Sequence, residues 1–268
     1  MANPYYRTGE LLKAKNEQAG GGAVDFPEFA LARVPLDDVR TALDLGCGWG
    51  RFALPLKRRC SIGMTCMDVW VGMVESCRQT LADDSLQADF LVGDARAIPA
   101  RDAAFDLVMA NHMLYEFASD GLRAVVAELN RIVARKGRLL ATTYSDAGRV
   151  PLTDLHNETL AVLGFPPPGP QPSSFCLENG ADVLSAGFAE VDTHVMEEVR
   201  SDTDADAFTA LYVKTGGYHW AASHDPIPEA DRARIPEVFR SKAEERIDKH
   251  GAIVTVTKWT AFVARGPL

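Results

Sequence analysis

The stretch Leu43–Phe52 reads LDLGCGWGRF, a short apolar run that contains one acid, Asp44, and ends in three alternating glycines. In an open α/β sheet, a turn of this kind after the first strand forms the floor of a ligand site. Dinucleotide-binding turns read G-x-G-x-x-G and place a pyrophosphate at a helix N-terminus. Here the spacing is Gly46-x-Gly48-x-Gly50, and the Asp44 carboxylate would repel pyrophosphate but attract an ammonium group. The stretch therefore predicts a ligand that is positively charged at this turn.

Around this turn, short apolar runs alternate with helical patterns over residues 41–145. Each run is typical of a strand buried on both faces of a parallel sheet. The five runs are TALDLG, SIGMTCMDV, ADFLVGD, AFDLVMAN and GRLLATTY. We predict helices over 51–58, 72–81 and 121–134, with Lys136-Gly137 as the C-terminal cap of the last. The pattern indicates a doubly wound α/β fold with a mostly parallel sheet.

Beyond residue 145 the pattern changes. Five prolines in 164–174 exclude regular structure there, and a helix ending at Gly187 and a strand FAEVDTHVM follow. The acidic region 202–250 is helical in pattern, and AIVTVTKWTAFVA predicts a closing antiparallel strand, which brings the sheet to seven. We therefore divide the chain into an N-terminal lid or helical segment (1–40), the core (41–145), the remaining core with an inserted cap over the carboxyl edge of the sheet (146–250) and a last strand (251–268).

Charge and composition exclude several classes of function. The net charge of −9 and the lack of an extended Lys/Arg cluster argue against a nucleic-acid partner. No signal-peptide pattern or long apolar stretch occurs, so we expect a cytoplasmic protein without a membrane partner, either a monomer or a homodimer. The five cysteines never form Cys-x-x-Cys and the histidines lack ligand spacing, so we predict no metal site.

The order of the motifs resembles that of the class I S-adenosylmethionine-dependent methyltransferases, whose first motif is similar to the DLGCGWG of this chain. The resemblance covers about 41–145 and includes Gly93-Asp94-Ala95 and Phe105-Asp106-Leu107-Val108, although Lys136 stands where the family commonly has proline. It implies a Rossmann-like fold and S-adenosyl-L-methionine as the cofactor. Asp68 would then bind the ribose hydroxyls and Asp94 the adenine amino group. The implied cofactor-binding residues are Asp44, Gly46, Gly48, Asp68, Val69, Met73, Asp94, Ala95 and Asn111.

The segment after the fourth strand carries the candidates for catalysis. Methyl transfer from this cofactor is an in-line displacement, in which placing the two reactants together supplies much of the acceleration. His112 is our first candidate for a base or a substrate-orienting group, followed by Tyr115 and Glu116. A role for His112 in hydrogen bonding alone is equally open.

The sequence also limits the acceptor. Residues 111–114 are Asn-His-Met-Leu and lack the [DN]-P-P-[YF] motif of enzymes that methylate base amino groups. We therefore expect a small-molecule acceptor, methylated on oxygen or nitrogen rather than carbon.

Aromatic residues of the lid and of the cap either contact the ligands or pack the fold: Tyr5, Tyr6, Phe165, Phe175, Phe208, Tyr212, Tyr218 and Trp220. Two alternatives remain, a non-catalytic S-adenosylmethionine-binding protein and a nicotinamide-dependent oxidoreductase.

Overall fold

A computed structural model of the chain describes residues 25–166, 172–214 and 227–268. The predicted aromatic contacts of Tyr5, Tyr6, Tyr218 and Trp220 lie outside these ranges. The strands are β1 Thr41–Leu45, β2 Gly63–Asp68, β3 Asp89–Val92, β4 Phe105–Asn111, β5 Val133–Tyr144, β6 Phe188–Asp202 and β7 Ile253–Pro267. The helices of the described ranges are α1 Phe26–Leu31, α2 Ala53–Arg59, α3 Val71–Asp83, α4 Ser119–Ile132, α5 Val150–Val162, α6 Gly180–Ser185, α7 Ala205–Lys214, α8 Glu229–Arg232 and α9 Ile235–His250.

The strands form one seven-stranded sheet in the order β3-β2-β1-β4-β5-β7-β6. Strands β1 to β5 pair in parallel. Strand β7 runs antiparallel to β5, from Arg138 opposite Arg265 to Tyr144 opposite Trp259. The structure thus confirms the predicted doubly wound, mostly parallel sheet and its late antiparallel strand. The order reverses at β1, so the carboxyl ends of β1 and β4 flank the position where ligands bind in such sheets.

Strand β3 departs from the prediction that every strand is buried on both faces. It has only four residues and lies at the edge of the sheet. Leu91 and Val92 are exposed, so the apolar run ADFLVGD does not mark a central strand.

The predicted helix cap at Lys136-Gly137 is also wrong. Helix α4 ends at Ile132, and both residues lie inside β5, which begins directly at Val133. A Cβ on Gly137 would lie 3.0 Å from the carbonyl oxygen of Asp106. The glycine therefore permits close approach of two backbones at a register shift between β4 and β5, instead of ending a helix.

Two apolar clusters cover the two faces of the sheet. Helix α4 contributes an amphipathic stripe to one of them, because its buried residues recur at helical spacing: Leu122, Val125, Val126, Leu129 and Ile132. The other cluster includes Phe26 of α1, Phe52, and Leu56 of α2. The apolar positions of β1 alternate between the two, with Ala42 in the second cluster and Leu43 and Leu45 in the first.

The chain divides into two compact units. One comprises Met1–Tyr144, Ser173–Met196 and Trp259–Leu268, and the other comprises Ser145–Pro172 and Glu197–Lys258. The second unit has its own core, in which the Tyr212 ring stacks on Phe239 at 3.8 Å between ring centroids. Within the described ranges, none of the helices has both the length and the apolar character required to cross a membrane.

Candidate functional site

Four polar side chains lie at the carboxyl ends of adjacent strands, on one face of the sheet. They are Asp44 of β1, Asp68 of β2, Asn111 of β4 and Thr142 of β5, and all are buried. The strand registers bring them together, because Asp44 pairs with Cys66 and Met109, and Asn111 pairs with Thr142. This arrangement follows from the parallel topology, in which the carboxyl ends of all the strands meet at one edge.

The glycine turn lies against the end of β2. Gly46 has φ +70° and Gly48 has φ +53°, a conformation that favours glycine. The N–H groups of Gly46 and Cys47 both donate to the Met67 carbonyl, at 2.7 and 3.0 Å. A Cβ on Gly46 would lie 2.9 Å from Cγ of Met113. Glycine is therefore required here both for the backbone conformation and for the space.

Asp68 holds the glycine turn to the β2–α3 connection. One carboxylate oxygen accepts the Gly48 N–H at 3.1 Å, and the other accepts the Trp70 N–H at 3.0 Å. Burial raises the pKa of Asp68, and these N–H donors partly oppose that rise. Each oxygen keeps acceptor capacity for a further donor, such as a hydroxyl group of a ligand.

Asp44 is buried without a well-formed hydrogen bond to either carboxylate oxygen. Neither carboxylate oxygen has a hydrogen bond from any group in the described ranges, and the same holds for the amide atoms of Asn111. Burial raises the pKa of Asp44 well above its usual value, and the neighbouring Cys77 and Asp68 reinforce the rise, which the Asn111 side chain and the Ala53 backbone oppose without cancelling it. A buried carboxylate costs free energy unless a cation or donors meet it. The residues present therefore fit a ligand that brings an ammonium group to this position.

The residues expected around the adenine lie after β2 and β3. Asp94 is half-buried and accepts the Arg96 backbone N–H at 2.8 Å and its Nε–H at 3.0 Å. This guanidinium lowers the pKa of Asp94. Ala95 and Met73 are buried, whereas Val69 is 56% exposed. The Arg96 contact was not part of the sequence prediction, and only its two-residue spacing from Asp94 could have indicated it.

His112 occupies a strained position directly after β4. Its φ is +52°, unusual for a residue other than glycine, and its backbone N–H donates to the Thr142 carbonyl at 3.0 Å. Its ring packs among four aromatic rings, those of Phe26, Phe52, Tyr144 and Trp259, with centroid distances of 5.6, 6.3, 6.1 and 5.6 Å. Phe26 and Trp259 are far from His112 in sequence, so no local pattern indicated this cluster.

The other two catalytic candidates differ in burial. Tyr115 is half-buried, and its ring lies 5.3 Å from that of Tyr144. Glu116 is exposed at the end of the short 3₁₀ turn Leu114–Glu116. The structure thus brings His112 and Tyr115 into contact with the same residue, Tyr144, and leaves Glu116 at the surface.

The aromatic residues expected in an acceptor pocket are mostly packed in cores. Phe208 and Tyr212 are fully buried in the second unit, where the Tyr212 hydroxyl lies 2.6 Å from Nδ1 of His156. Phe175 belongs to the core of the first unit. Within the described ranges, no group of three or more His, Cys, Asp or Glu side chains is arranged to hold a metal ion.

Comparison with known proteins relates this site to a family. Residues 42–137 match the model of a methyltransferase domain. Malonyl-[acyl-carrier protein] O-methyltransferase of Geobacter sulfurreducens is 29% identical over 65% of this chain and 65% of its own length. Trans-aconitate 2-methyltransferase of Azoarcus is 41% identical over 31% of this chain and 32% of its own length. The chain thus spans less than two thirds of either relative.

A solved structure shares the fold. The phosphoethanolamine N-methyltransferase 2 of Haemonchus contortus, in complex with phosphomonomethylethanolamine and S-adenosylhomocysteine, has a TM-score of 0.56 to this chain. The two are 14% identical, over 97% of this chain and 58% of the other. The domain match over residues 42–137 and the similar relatives support the resemblance of this chain to the class I S-adenosylmethionine-dependent methyltransferases, and the solved structure shares its fold.

Proposed function

We propose that this protein transfers the methyl group of S-adenosylmethionine to an oxygen or nitrogen of a small-molecule acceptor. The observation that carries the proposal is the buried Asp44 carboxylate, which has no hydrogen bond within the described ranges and lies directly before the glycine turn. A nicotinamide dinucleotide would bring phosphates to this turn, where Asp44 would repel them. The aminoacyl end of S-adenosylmethionine brings an ammonium group instead.

The residues that would hold the cofactor are those at the carboxyl edge of the sheet. Asp44 would pair with the ammonium group, and the glycine turn gives the backbone room for close approach. Asp68 retains acceptor capacity for the ribose hydroxyls, and Asp94 would bind the adenine amino group after displacement of the exposed Arg96 guanidinium. Val69, Met73, Ala95 and Asn111 complete the proposed set. When bound, this cofactor supplies a methyl group made electrophilic by a positively charged sulfur.

The chain itself would position the acceptor and handle its proton. His112 is suited to this because its backbone is tied to Thr142 and its ring is restrained by aromatic neighbours. A restrained imidazole loses little entropy when it orients an acceptor. Its usual pKa also lies near neutrality, which suits the removal of a proton from a hydroxyl or ammonium group.

Two observations support a small acceptor. The Geobacter and Azoarcus relatives are named for malonyl-[acyl-carrier protein] and trans-aconitate, neither of which is a nucleic acid. The net charge of −9 also disfavours a nucleic acid as the partner.

The test has two stages. Calorimetry should detect binding of S-adenosylhomocysteine, and absence of binding would remove the proposal. Labelled S-adenosylmethionine should then pass its methyl group to members of a metabolite panel, and His112→Gln should lower kcat while the control His250→Gln leaves it unchanged. Tight binding without any transfer would favour a non-catalytic binding protein, and tight NADH binding in a fluorescence titration would favour an oxidoreductase.

A further inference from the structure

Arg51 is a partly buried cation that makes no direct ion pair in the described part of the chain. It follows Gly50 directly and precedes α2, so the turn that ends β1 places it. The side chain is half-buried and forms no hydrogen bond or ion pair with any residue of the described ranges. Two arginines at the other end of α2 behave differently, because Arg58 pairs with Asp84 and Arg59 with Glu28.

The surroundings of Arg51 disfavour an isolated charge. Burial lowers the pKa of its guanidinium, and Asp25 and Tyr115 act in the opposite direction without a direct hydrogen bond. An arginine nevertheless remains protonated, since its unperturbed pKa is above about 12. A partly desolvated guanidinium offers a planar fork of donors that matches a carboxylate with two parallel hydrogen bonds.

The position of Arg51 relates it to the acceptor segment. The next residue, Phe52, packs against His112 with ring centroids 6.3 Å apart. Tyr115, one of the two groups that act on Arg51, lies in the segment after β4 that holds the catalytic candidates. Arg51 is thus next in sequence to a residue that packs on His112, and it interacts electrostatically with Tyr115, so two catalytic candidates are in its neighbourhood.

We infer that Arg51 binds a carboxylate group of the acceptor, so that the substrates of this protein are small carboxylic acids. The inference rests on the proposed methyl transfer and adds the chemical class of the acceptor. The cofactor also carries a carboxylate, which is the other source of the same chemistry. The packing of the adjacent Phe52 on His112, together with the interaction of Arg51 with Tyr115, favours the acceptor, and the experiment separates the two sources.

The experiment measures binding to the complex with S-adenosylhomocysteine. Aliphatic mono-, di- and tricarboxylic acids and aromatic acids are titrated by calorimetry, each beside its uncharged primary amide. We expect at least one acid to bind the wild-type complex more tightly than its amide. Arg51→Gln should lower the affinity for that acid by about tenfold or more, as expected for loss of a charge-assisted contact. Arg51→Lys should keep part of the affinity, because the positive charge remains. The control Arg58→Gln should leave it unchanged.

Three results would overturn the inference. One is a panel in which no acid is preferred to its amide in the wild-type complex. Another is an Arg51→Gln variant whose affinity for S-adenosylhomocysteine itself falls about tenfold, because Arg51 would then serve the cofactor carboxylate. The third is a lower Tm of Arg51→Gln without ligand, since a structural arginine stabilises the fold and a cation reserved for substrate does not. If S-adenosylhomocysteine does not bind the wild-type protein, the proposed function itself is refuted. The three results above refute only the role of Arg51 and leave the proposed methyl transfer intact.

Discussion

Two aspartates on neighbouring strands show how the two ends of the sheet differ. Asp106, near the start of β4, accepts the N–H groups of Arg40 and Thr41, both at 2.9 Å, and the Thr41 hydroxyl at 3.1 Å. Asp44, near the end of β1, is more deeply buried and accepts no hydrogen bond in the described ranges. Burial acts to raise the pKa of both, but at Asp106 the donors prevail and the net change is downward, whereas at Asp44 it is strongly upward.

The difference separates a structural role from a binding role. Asp106 ties the chain before β1 to the start of β4, so its hydrogen bonds are complete within the fold and stabilise it. Asp44 lowers the stability of the free protein and regains that free energy only when a ligand brings a positive charge. Under the proposed function, Asp106 therefore serves the stability of the fold and Asp44 serves ligand binding.

The largest expected effect is that of Asp44→Asn on cofactor binding. The amide keeps the shape of the side chain but cannot pair with an ammonium group, so affinity for S-adenosylhomocysteine should fall by about a hundredfold or more. Because a buried charge is removed, Tm of the free protein should rise by a few degrees at neutral pH. Calorimetry and thermal unfolding measure the two effects. The matched control Asp106→Asn should keep its affinity, and a loss of affinity there as large as at Asp44 would refute the contrast.

The second expected effect is that of Asp106→Ala on stability. This change leaves the N–H groups of Arg40 and Thr41 without their acceptor, so it should cost about 1–3 kcal/mol in the free energy of unfolding, toward the lower figure because the site is partly exposed. Denaturant unfolding measures the cost. Since the pKa of Asp106 is lowered in the folded state, its stabilising contribution is present above the unfolded pKa of about 4 and is lost as the pH falls. An unchanged midpoint would contradict this assignment.

Asp44 should have the opposite effect on the pH dependence of stability, because its pKa is raised in the folded state. A proton is bound in the folded but not the unfolded state between these two pKa values, so stability should fall as pH rises through that window. Cofactor binding needs the carboxylate, so affinity for S-adenosylhomocysteine should fall by up to about tenfold per pH unit below the raised pKa. Calorimetry over a pH series that begins near the unfolded pKa of about 4 and rises until the affinity is constant measures this slope. Asp44→Asn should remove this dependence of affinity on pH, and Asp106→Asn should preserve it. Equal slopes in the two variants would show that a group other than Asp44 binds the proton.

The sequence could predict the parts of this site that depend on short sequence patterns, and it could not predict the parts that depend on contacts between distant segments. Short apolar segments predict both the buried strands and their parallel arrangement, and these together place Asp44, Asp68 and Asn111 at one edge of the sheet. Gly137 misled the prediction because a glycine that ends a helix and one that lets two backbones approach have the same local sequence signal.

Contacts between distant segments were beyond the sequence argument. Phe26 and Trp259 reach His112 from opposite ends of the chain, and only the completed packing of α1 and β7 brings them together. The hydrogen bonds of Asp106 were missed for a related reason. They depend on the residues before β1 lying beside the start of β4, which the order of strands in the sheet determines.

The smallest expected effect concerns Asp94. It is intermediate between Asp106, whose donors belong to the fold, and Asp44, which has no hydrogen bond, because the partner of Asp94 is the exposed side chain of Arg96. Arg96 occupies both carboxylate oxygens and lowers the pKa of Asp94, but its guanidinium is open to solvent and can be displaced. Arg96→Gln should therefore free Asp94 for the adenine amino group and tighten binding of S-adenosylhomocysteine by no more than about threefold, as for other screened surface ion pairs. Calorimetry at low and high salt measures this, and the gain should shrink as salt weakens the competing pair in the wild type. Weaker binding in Arg96→Gln would instead make the guanidinium itself a ligand-binding group, and Asp94 would then join Asp106 as a structural carboxylate.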